Sequence, residues 1–357
     1  KIYEKYILTK FFKIFLIIFL IFFSLTIVLS IFEEISFFKN NNANLMLPYF
    51  LTLLNSPITI FETFPFIFLI SAQYFFYQLI KNDELALLKN SGLSNFKVIR
   101  TLFLTTFVIG VLIIVIFYNL SSKLKFLYTD IKNNYTNDNK YLAVVNDSGL
   151  WLKDETESSI LIIKSNNIDQ NFLLNVLINE FDFNFKLKKT IQAEKVNINS
   201  KTWILYDPIV TEKNISSKIL NELKFKTNFD DIKIRNLFSN FSTLNILELF
   251  NLKKDYEKLG YSSDEIKIHI LKLFLSPYFF ALMTILSSII MINISKEKSI
   301  FFNVIIGIFT SVIIYYFNFI FFSLGNTGKI PPTVSVFLPS LFLTIISIIG
   351  LIRINEK

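Results

Sequence analysis

Apolar positions fall along this chain in two registers. Six stretches, near 11–32, 58–80, 101–120, 272–294, 299–323 and 335–352, are continuous enough for helices of about 20 residues that cross a hydrocarbon core. Three precede residue 125 and three follow residue 265. Between them the pattern changes to alternation. Positions 181–188 read Phe-Asp-Phe-Asn-Phe-Lys-Leu-Lys, 195–199 and 223–227 repeat the period of two, and apolar runs at 141–145, 160–163 and 203–206 bring the expectation to seven or more short strands. From 246 to 269 helical spacing returns through Leu247, Phe250, Leu252, Tyr256 and Leu259, ahead of Gly260. The fold class this predicts is an α-helical membrane protein with six transmembrane helices, arranged 3+3, and an inserted β-sandwich or jelly-roll domain. Its expected parts are a first transmembrane half over 1–124, a β-domain with a C-terminal connector over 125–265, and a second transmembrane half over 266–357. The first apolar stretch ends in Glu33-Glu34 without a small-x-small cleavage site, so a retained span is expected.

Composition agrees with a bilayer environment. Hydrophobic residues make up 52% and charged residues 18% of the 357, where a soluble domain carries about a quarter charged. The formal charge of +8 does not point to nucleic acid, because positions 121–270 hold 21 basic and 20 acidic residues and the remaining +7 flanks the apolar stretches. Lys1, Lys5, Lys10, Lys13, Lys81, Lys89, Lys97, Arg100, Lys296, Lys298, Arg353 and Lys357 fall on one side of the six spans, against Lys39 and Lys329 in the opposite short loops. Lys/Arg bias sets orientation, so both termini are expected in the cytoplasm and the β-domain on the far side. Cysteine is absent, which excludes disulfides, thiolate metal sites and Cys nucleophiles.

Catalytic chemistry is poorly supplied. His269 is the single histidine, at the approach to the fourth span, where a structural role is expected. Gly325-Asn326-Thr327-Gly328-Lys329 lacks the spacing of a phosphate loop and is followed by Ile330-Pro331-Pro332 instead of a helix. Bound cofactors and metals are therefore not expected, and any ATP and Mg would belong to a partner. Glu33, Glu34 and Glu62 lie near the expected headgroup level, where a carboxylate costs little. The cytoplasmic segment 81–100 is more informative. Asn82-Asp83-Glu84 favours a helix start, Leu85 through Lys89 continues it, and Gly92 suits the left-handed residue that ends it. Such a short helix either receives force from an ATPase or rests on lipid.

The whole chain resembles the LptF/LptG permease family of lipopolysaccharide export, and is closer to its LptG branch. The resemblance is carried by Tyr6-Ile7, Pro57 and Pro65, Asp83-Glu84-Leu85 through Ser91-Gly92, Gly149-Leu150-Trp151-Leu152-Lys153-Asp154, and Ile330-Pro331-Pro332 through Leu338-Pro339-Ser340. It implies a non-catalytic permease subunit of the bacterial inner membrane. Such a subunit pairs with an LptF-like paralogue and an LptB-like ATPase dimer, extracts lipopolysaccharide, and passes it through a periplasmic jelly roll toward LptC-like and LptA-like proteins. It also implies ATPase coupling through Glu84, Leu85, Leu88 and Gly92, with Glu84 stabilising its own helix turn or pairing with a basic ATPase residue. The substrate gate would involve Ser24, Val28 and Ile31 of span one and Tyr316, Phe317 and Ile320 of span five. Basic residues suited to lipid A phosphates are replaced after span one by Glu33 and Glu34. Two other readings use the same topology: a membrane-anchored enzyme, and an envelope protein that transmits ATPase motion without moving lipid. Reporter fusions after Leu88, Lys296 and Arg353 should signal cytoplasm, and fusions near Asn42, Asn214 and Lys329 periplasm. A periplasmic signal at Leu88 would overturn the topology.

Overall fold

The computed structural model describes residues 2–39, 44–133, 135, 150–155, 159–169, 171–212, 215–218, 222–231, 234, 240–259, 262–293 and 300–355. The expected strand at 141–145, Gly149, Asn214, Gly260, Lys296 and Lys298 lie outside them. The chain folds as two compact units, Lys1–Lys125 with Asp264–Lys357, and Phe126–Ser263. The two apolar halves, far apart in sequence, are thus one packed body.

In that body the helices are α1 (Ile2–Phe38), α2 (Leu47–Phe61), α3 (Phe64–Lys81), α4 (Glu84–Asn90) and α5 (Asn95–Leu112). A π-helical segment (Ile113–Tyr118) leads from α5 into α6 (Asn119–Asn133), whose residues from Phe126 on belong to the second unit. After the second unit come α8 (Asp264–Asn293), α9 (Ile300–Asn326) and α10 (Pro332–Asn355), with α7 described below. Among the described residues five helical stretches are long and apolar enough to cross a membrane, or six if α2 and α3 count as one broken span. The second span is therefore not the continuous helix expected over 58–80: α2 and α3 meet at 68°. Pro65 has no N–H to continue the ladder, and the Thr63 hydroxyl donates to the Ile60 carbonyl at 2.8 Å. Glu62 is exposed at this bend. The third span carries its own irregularity, since the π-helical turn places the Tyr118 hydroxyl 3.0 Å from His269 Nε2. His269 thus has a structural contact between α8 and the π segment.

Aromatic rings fill the centre of the body. Phe15 of α1 stacks on Phe68 of α3 with centroids 4.7 Å apart, and Phe68 on Phe280 of α8 at 5.2 Å. α5 approaches α8 closely, because a Cβ on Gly110 would lie 2.8 Å from Pro277 Cα.

The second unit holds eight described strands in one antiparallel sheet: β1 (Leu150–Glu155), β2 (Ile160–Asp169), β3 (Phe172–Phe181), β4 (Leu187–Asn197), β5 (Thr202–Tyr206), β6 (Ile209–Glu212), β7 (Ile215–Lys218) and β8 (Glu222–Lys226). The path runs β1-β2-β3-β4-β5-β8 and forks at β4, whose Lys195–Asn197 end pairs with β5 and whose Lys189–Gln192 end pairs with β6, itself paired to β7. α7 (Ile246–Leu259) follows the sheet, and Asn245 and Glu248 cap its start reciprocally. Along β3 the buried positions pass from Leu173 to Val176 and Ile178, a change of phase at Asn175, whose φ of 51° is left-handed.

The clearest alternation in the chain is not one strand: Leu187 and Lys188 already belong to β4, and 182–186 turn between β3 and β4. β3 ends at Phe181, and Asp182 Oδ1 accepts from the backbone N–H of Asn184 at 3.0 Å and of Lys186 at 2.8 Å. This side-chain turn competes with the sheet ladder and wins, leaving Phe183, Phe185 and Leu187 exposed at a hairpin tip. Position 203, in contrast, anchors the core: Trp203 is fully buried and its indole N–H donates to the Phe229 carbonyl at 2.8 Å. Asp154, 3% exposed, ties β1 to the segment after β8, accepting from the Thr227 hydroxyl at 2.7 Å and from the backbone and side-chain nitrogens of Asn228, each at 2.8 Å. Removing a buried acceptor of three bonds strands its donors, so Asp154→Ala should destabilise this unit by about 3 kcal/mol. Thermal unfolding followed by β-sheet circular dichroism would show the loss, and an unchanged midpoint would refute the clamp.

Candidate functional site at the α1–α4 junction

Within fourteen residues after α3 the chain passes two left-handed residues and one short helix before α5 begins. Asp83 takes a left-handed φ of 57° to leave α3, and α4 follows as a helix of seven residues. Gly92, at φ 82°, then ends it: the N–H of Leu93 reaches the Leu88 carbonyl at 3.1 Å and that of Gly92 the Lys89 carbonyl at 2.9 Å. This paired closure satisfies the last carbonyls and needs a residue without a Cβ penalty at position 92. Ser94 caps α5 by accepting from the Lys97 N–H.

α4 divides its apolar residues between two directions. Leu85 and Leu88 pack against the aromatic core of the membrane body, whereas Leu87 is 64% exposed. Glu84 is turned toward α1. Its Oε2 accepts from Lys10 Nζ and from the Tyr6 hydroxyl, each at 2.5 Å, and its Oε1 accepts from Asn82 Nδ2 at 3.2 Å. Lys10 Nζ also reaches the Tyr6 hydroxyl at 3.2 Å. Tyr6 and Lys10 are one helical turn apart, so both present to the same point in space. The ion pair is half-buried, with 16% of the Lys10 and 23% of the Glu84 side chain exposed. Burial alone would raise the Glu84 carboxyl, but donation from Lys10, Tyr6 and Asn82 together with the Lys10 charge holds it below the usual carboxylate range. Of the two roles expected for Glu84, neither includes this contact within the chain. Sequence spacing pairs Tyr6 with Lys10, but nothing in it selects a carboxylate 74 residues away.

Among the described residues, the expected gate residues lie on helices without substantial packing on each other. α1 packs on α2, α3 and α5, and α9 on α3, α8 and α10. Ser24 and Val28 are exposed on α1, with Ile31 half-buried, and Tyr316 and Ile320 are exposed on α9. Phe317 is half-buried, its ring 5.8 Å from that of the exposed Phe342 on α10. Glu33 is exposed and Glu34 buried. Gly325 to Lys329 is a helix terminator, since the N–H groups of Gly328 and Lys329 bond the Gly325 and Leu324 carbonyls and so do not cradle a phosphate. Among the described residues no cluster of His, Asp or Glu is arranged to hold a metal.

A sequence model described as lipopolysaccharide export system permease LptF/LptG matches residues 5–353, which takes in both units and both sides of the junction. The chain belongs to the LptF/LptG family. No curated protein matches it. As an LptF/LptG member it is a multi-pass membrane permease subunit of lipopolysaccharide export, and not itself an enzyme. Tyr6 and Glu84, two residues that carry the family resemblance, are thus in direct contact.

The pH dependence of this LptF/LptG junction follows from the lowered Glu84 value. A carboxyl whose folded pKa is depressed contributes fully above its unfolded pKa and loses that contribution as pH falls through the folded one. Spin labels on cysteines introduced at the exposed positions Leu8 and Lys89 should therefore report a constant distance from neutrality to about pH 5. The distance should broaden only below the ordinary Glu value of about 4.3. Broadening already at pH 6 would show that Glu84 is not held by its donors.

Proposed function

We propose that this chain is the LptG-type half of an ATP-driven exporter that extracts lipopolysaccharide from the bacterial inner membrane and passes it to a periplasmic jelly-roll bridge. The observation that carries the reading is the family match over residues 5–353, joined to a short helix with an outward-facing Leu87 beside a core-packed Leu85 and Leu88. α4 docks on an LptB-like ATPase, which binds ATP and Mg, through the face around Leu87, while Leu85 and Leu88 anchor it and Gly92 ends it. Both termini are cytoplasmic. The sheet of the second unit is the periplasmic jelly roll, handing substrate on to LptC-like and LptA-like proteins.

The exposed apolar sides of α1 and α9 support a gate completed by a second subunit. Helices in lipid are not driven together by hydrophobicity, so a face left open by one subunit can pack loosely on another and part to admit acyl chains. An LptF-like paralogue supplies the opposing faces. Ser24, Val28, Ile31, Tyr316 and Ile320 line the gate, and Phe317 backs it through its contact with α10. Photo-crosslinkers at Val28, Ile31 and Ile320 should capture lipopolysaccharide in cells. Capture of bulk phospholipid alone at all three positions would refute export by this chain and leave a protein that transmits ATPase motion without moving lipid.

A further inference from the structure

We propose that the tip of the β3–β4 hairpin is a membrane-contacting surface, which sets its apolar side chains into a lipid leaflet that carries anionic headgroups. A contact of this kind is independent of what the permease carries.

Residues 183–188 read Phe-Asn-Phe-Lys-Leu-Lys and are all exposed. Phe183 and Phe185 are 60% and 61% exposed, and Leu187 53%. Singly, exposed apolar residues need no explanation, but three within five positions at one end of a sheet make a patch. Lys186 and Lys188 are interleaved with them, and Lys189 follows, ion-paired with Glu180 at 3.1 Å. No acidic residue occurs from 183 to 190. The nearest one, Asp182, has its Oδ1 occupied by the N–H groups of Asn184 and Lys186. The tip is therefore aromatic and cationic. Aromatic rings favour the headgroup level, and lysines reach from apolar surroundings to anionic phosphates there. A protein interface is the poorer match, because lysine is depleted in such interfaces and loses its rotamer freedom when fixed in one. A fluid anionic surface takes the charge without fixing the side chain.

The backbone of the tip closes on itself. Phe185 N–H donates to the Asp182 carbonyl and Asp182 N–H to the Lys186 carbonyl, each at 3.0 Å. Phe185 has a φ of 58°, a left-handed conformation that a bulky residue adopts only at a cost. Glycine or asparagine would form this turn with less strain, so the turn itself has no use for the ring. Closure also means that Phe183 and Phe185 are presented without a loop having to order on contact. In sequence the second unit is tied to apolar helices at both ends, with α6 leading out of the third span and α8 beginning the fourth. Such a double tether gives the hairpin a high effective concentration at a lipid surface, so a contact too weak to recruit a free domain suffices.

Because the chain lacks cysteine, one nitroxide spin label can be placed at a single introduced cysteine. The full chain, with and without its second subunit, is reconstituted in vesicles of phosphatidylethanolamine with phosphatidylglycerol, or of phosphatidylcholine alone. Collisions of the label with oxygen, which concentrates in lipid, are compared with collisions with a water-soluble nickel chelate. In the phosphatidylglycerol vesicles, labels at Phe183→Cys and Phe185→Cys should each give an oxygen-to-nickel ratio about fivefold above that at Lys201→Cys, an exposed position beyond the other end of β4. Lys186→Glu combined with Lys188→Glu should lower the ratio at 183 by about threefold in these vesicles and change it little in phosphatidylcholine. An unchanged spectrum of the Lys201 label in the charge-reversed chain would show that the unit still folds. Ratios at 183 and 185 equal to that at 201 would overturn the proposal. So would shielding from both probes that appears only with the second subunit, which would make the tip a protein contact. Indifference to the charge reversal in anionic vesicles would overturn it as well.

Discussion

Ring packing where α1, α3 and α8 meet makes one body of two sequence-distant halves. Hydrophobicity gives no reason for helices to associate within lipid, so association falls to dispersion, close backbone approach and ring geometry. Phe15, Phe68 and Phe280 provide stacked contacts across three helices, and Phe64 and Phe117 add edge-on ones. The approach of α5 to α8 depends on the absence of a side chain at Gly110, opposite Pro277. With α3 and α8 fixed in this way, the remaining helices are placed around them.

That arrangement distributes exposure unevenly. In the most apolar stretch of α8, 67% of residues are buried, against 22% in α1 and 17% in α9. The two helices expected to form the gate are therefore those with the largest open faces. Among the described residues they also have no substantial packing on one another. The gate proposed between them is accordingly one that a second subunit completes. α1 in addition carries Tyr6 and Lys10 at the end opposite to Val28, so one helix bears both an open apolar face and the ionic contact to α4.

Much of the framework was legible in the chain. Continuous apolar runs mark spans because a bilayer demands internally satisfied backbone over a fixed thickness, and the short apolar runs at 160–163 and 203–206 and the alternation at 223–227 mark strands. Gly92 was legible as a helix end because the left-handed conformation there excludes most other residues. Alternation misled at 181–188. The pattern of Phe and polar residues fits a strand, but the Asp182 side chain captures two backbone N–H groups and folds the segment into a turn. Pro65 was visible, yet its consequence, a 68° bend and not a mere kink, depends on how α2 and α3 pack on α1.

By itself the sequence determined the class of the protein, its apolar spans, the central β-unit and the short helix after α3, because each follows from periodicity, local conformational preference or charge bias. Tertiary structure decided which way each side chain of that helix faces. Leu85 and Leu88 turn to the core and Leu87 to solvent, and Glu84 meets Lys10 and Tyr6 across separations of 74 and 78 residues. It also decided that Asp154 is a clamp and that Phe183, Phe185 and Leu187 stand outside the sheet core. The physical reason is common to all of these. Periodicity specifies an element and its faces, but the partner of a face or of a charge is fixed only when distant segments are brought within hydrogen-bond or van der Waals reach.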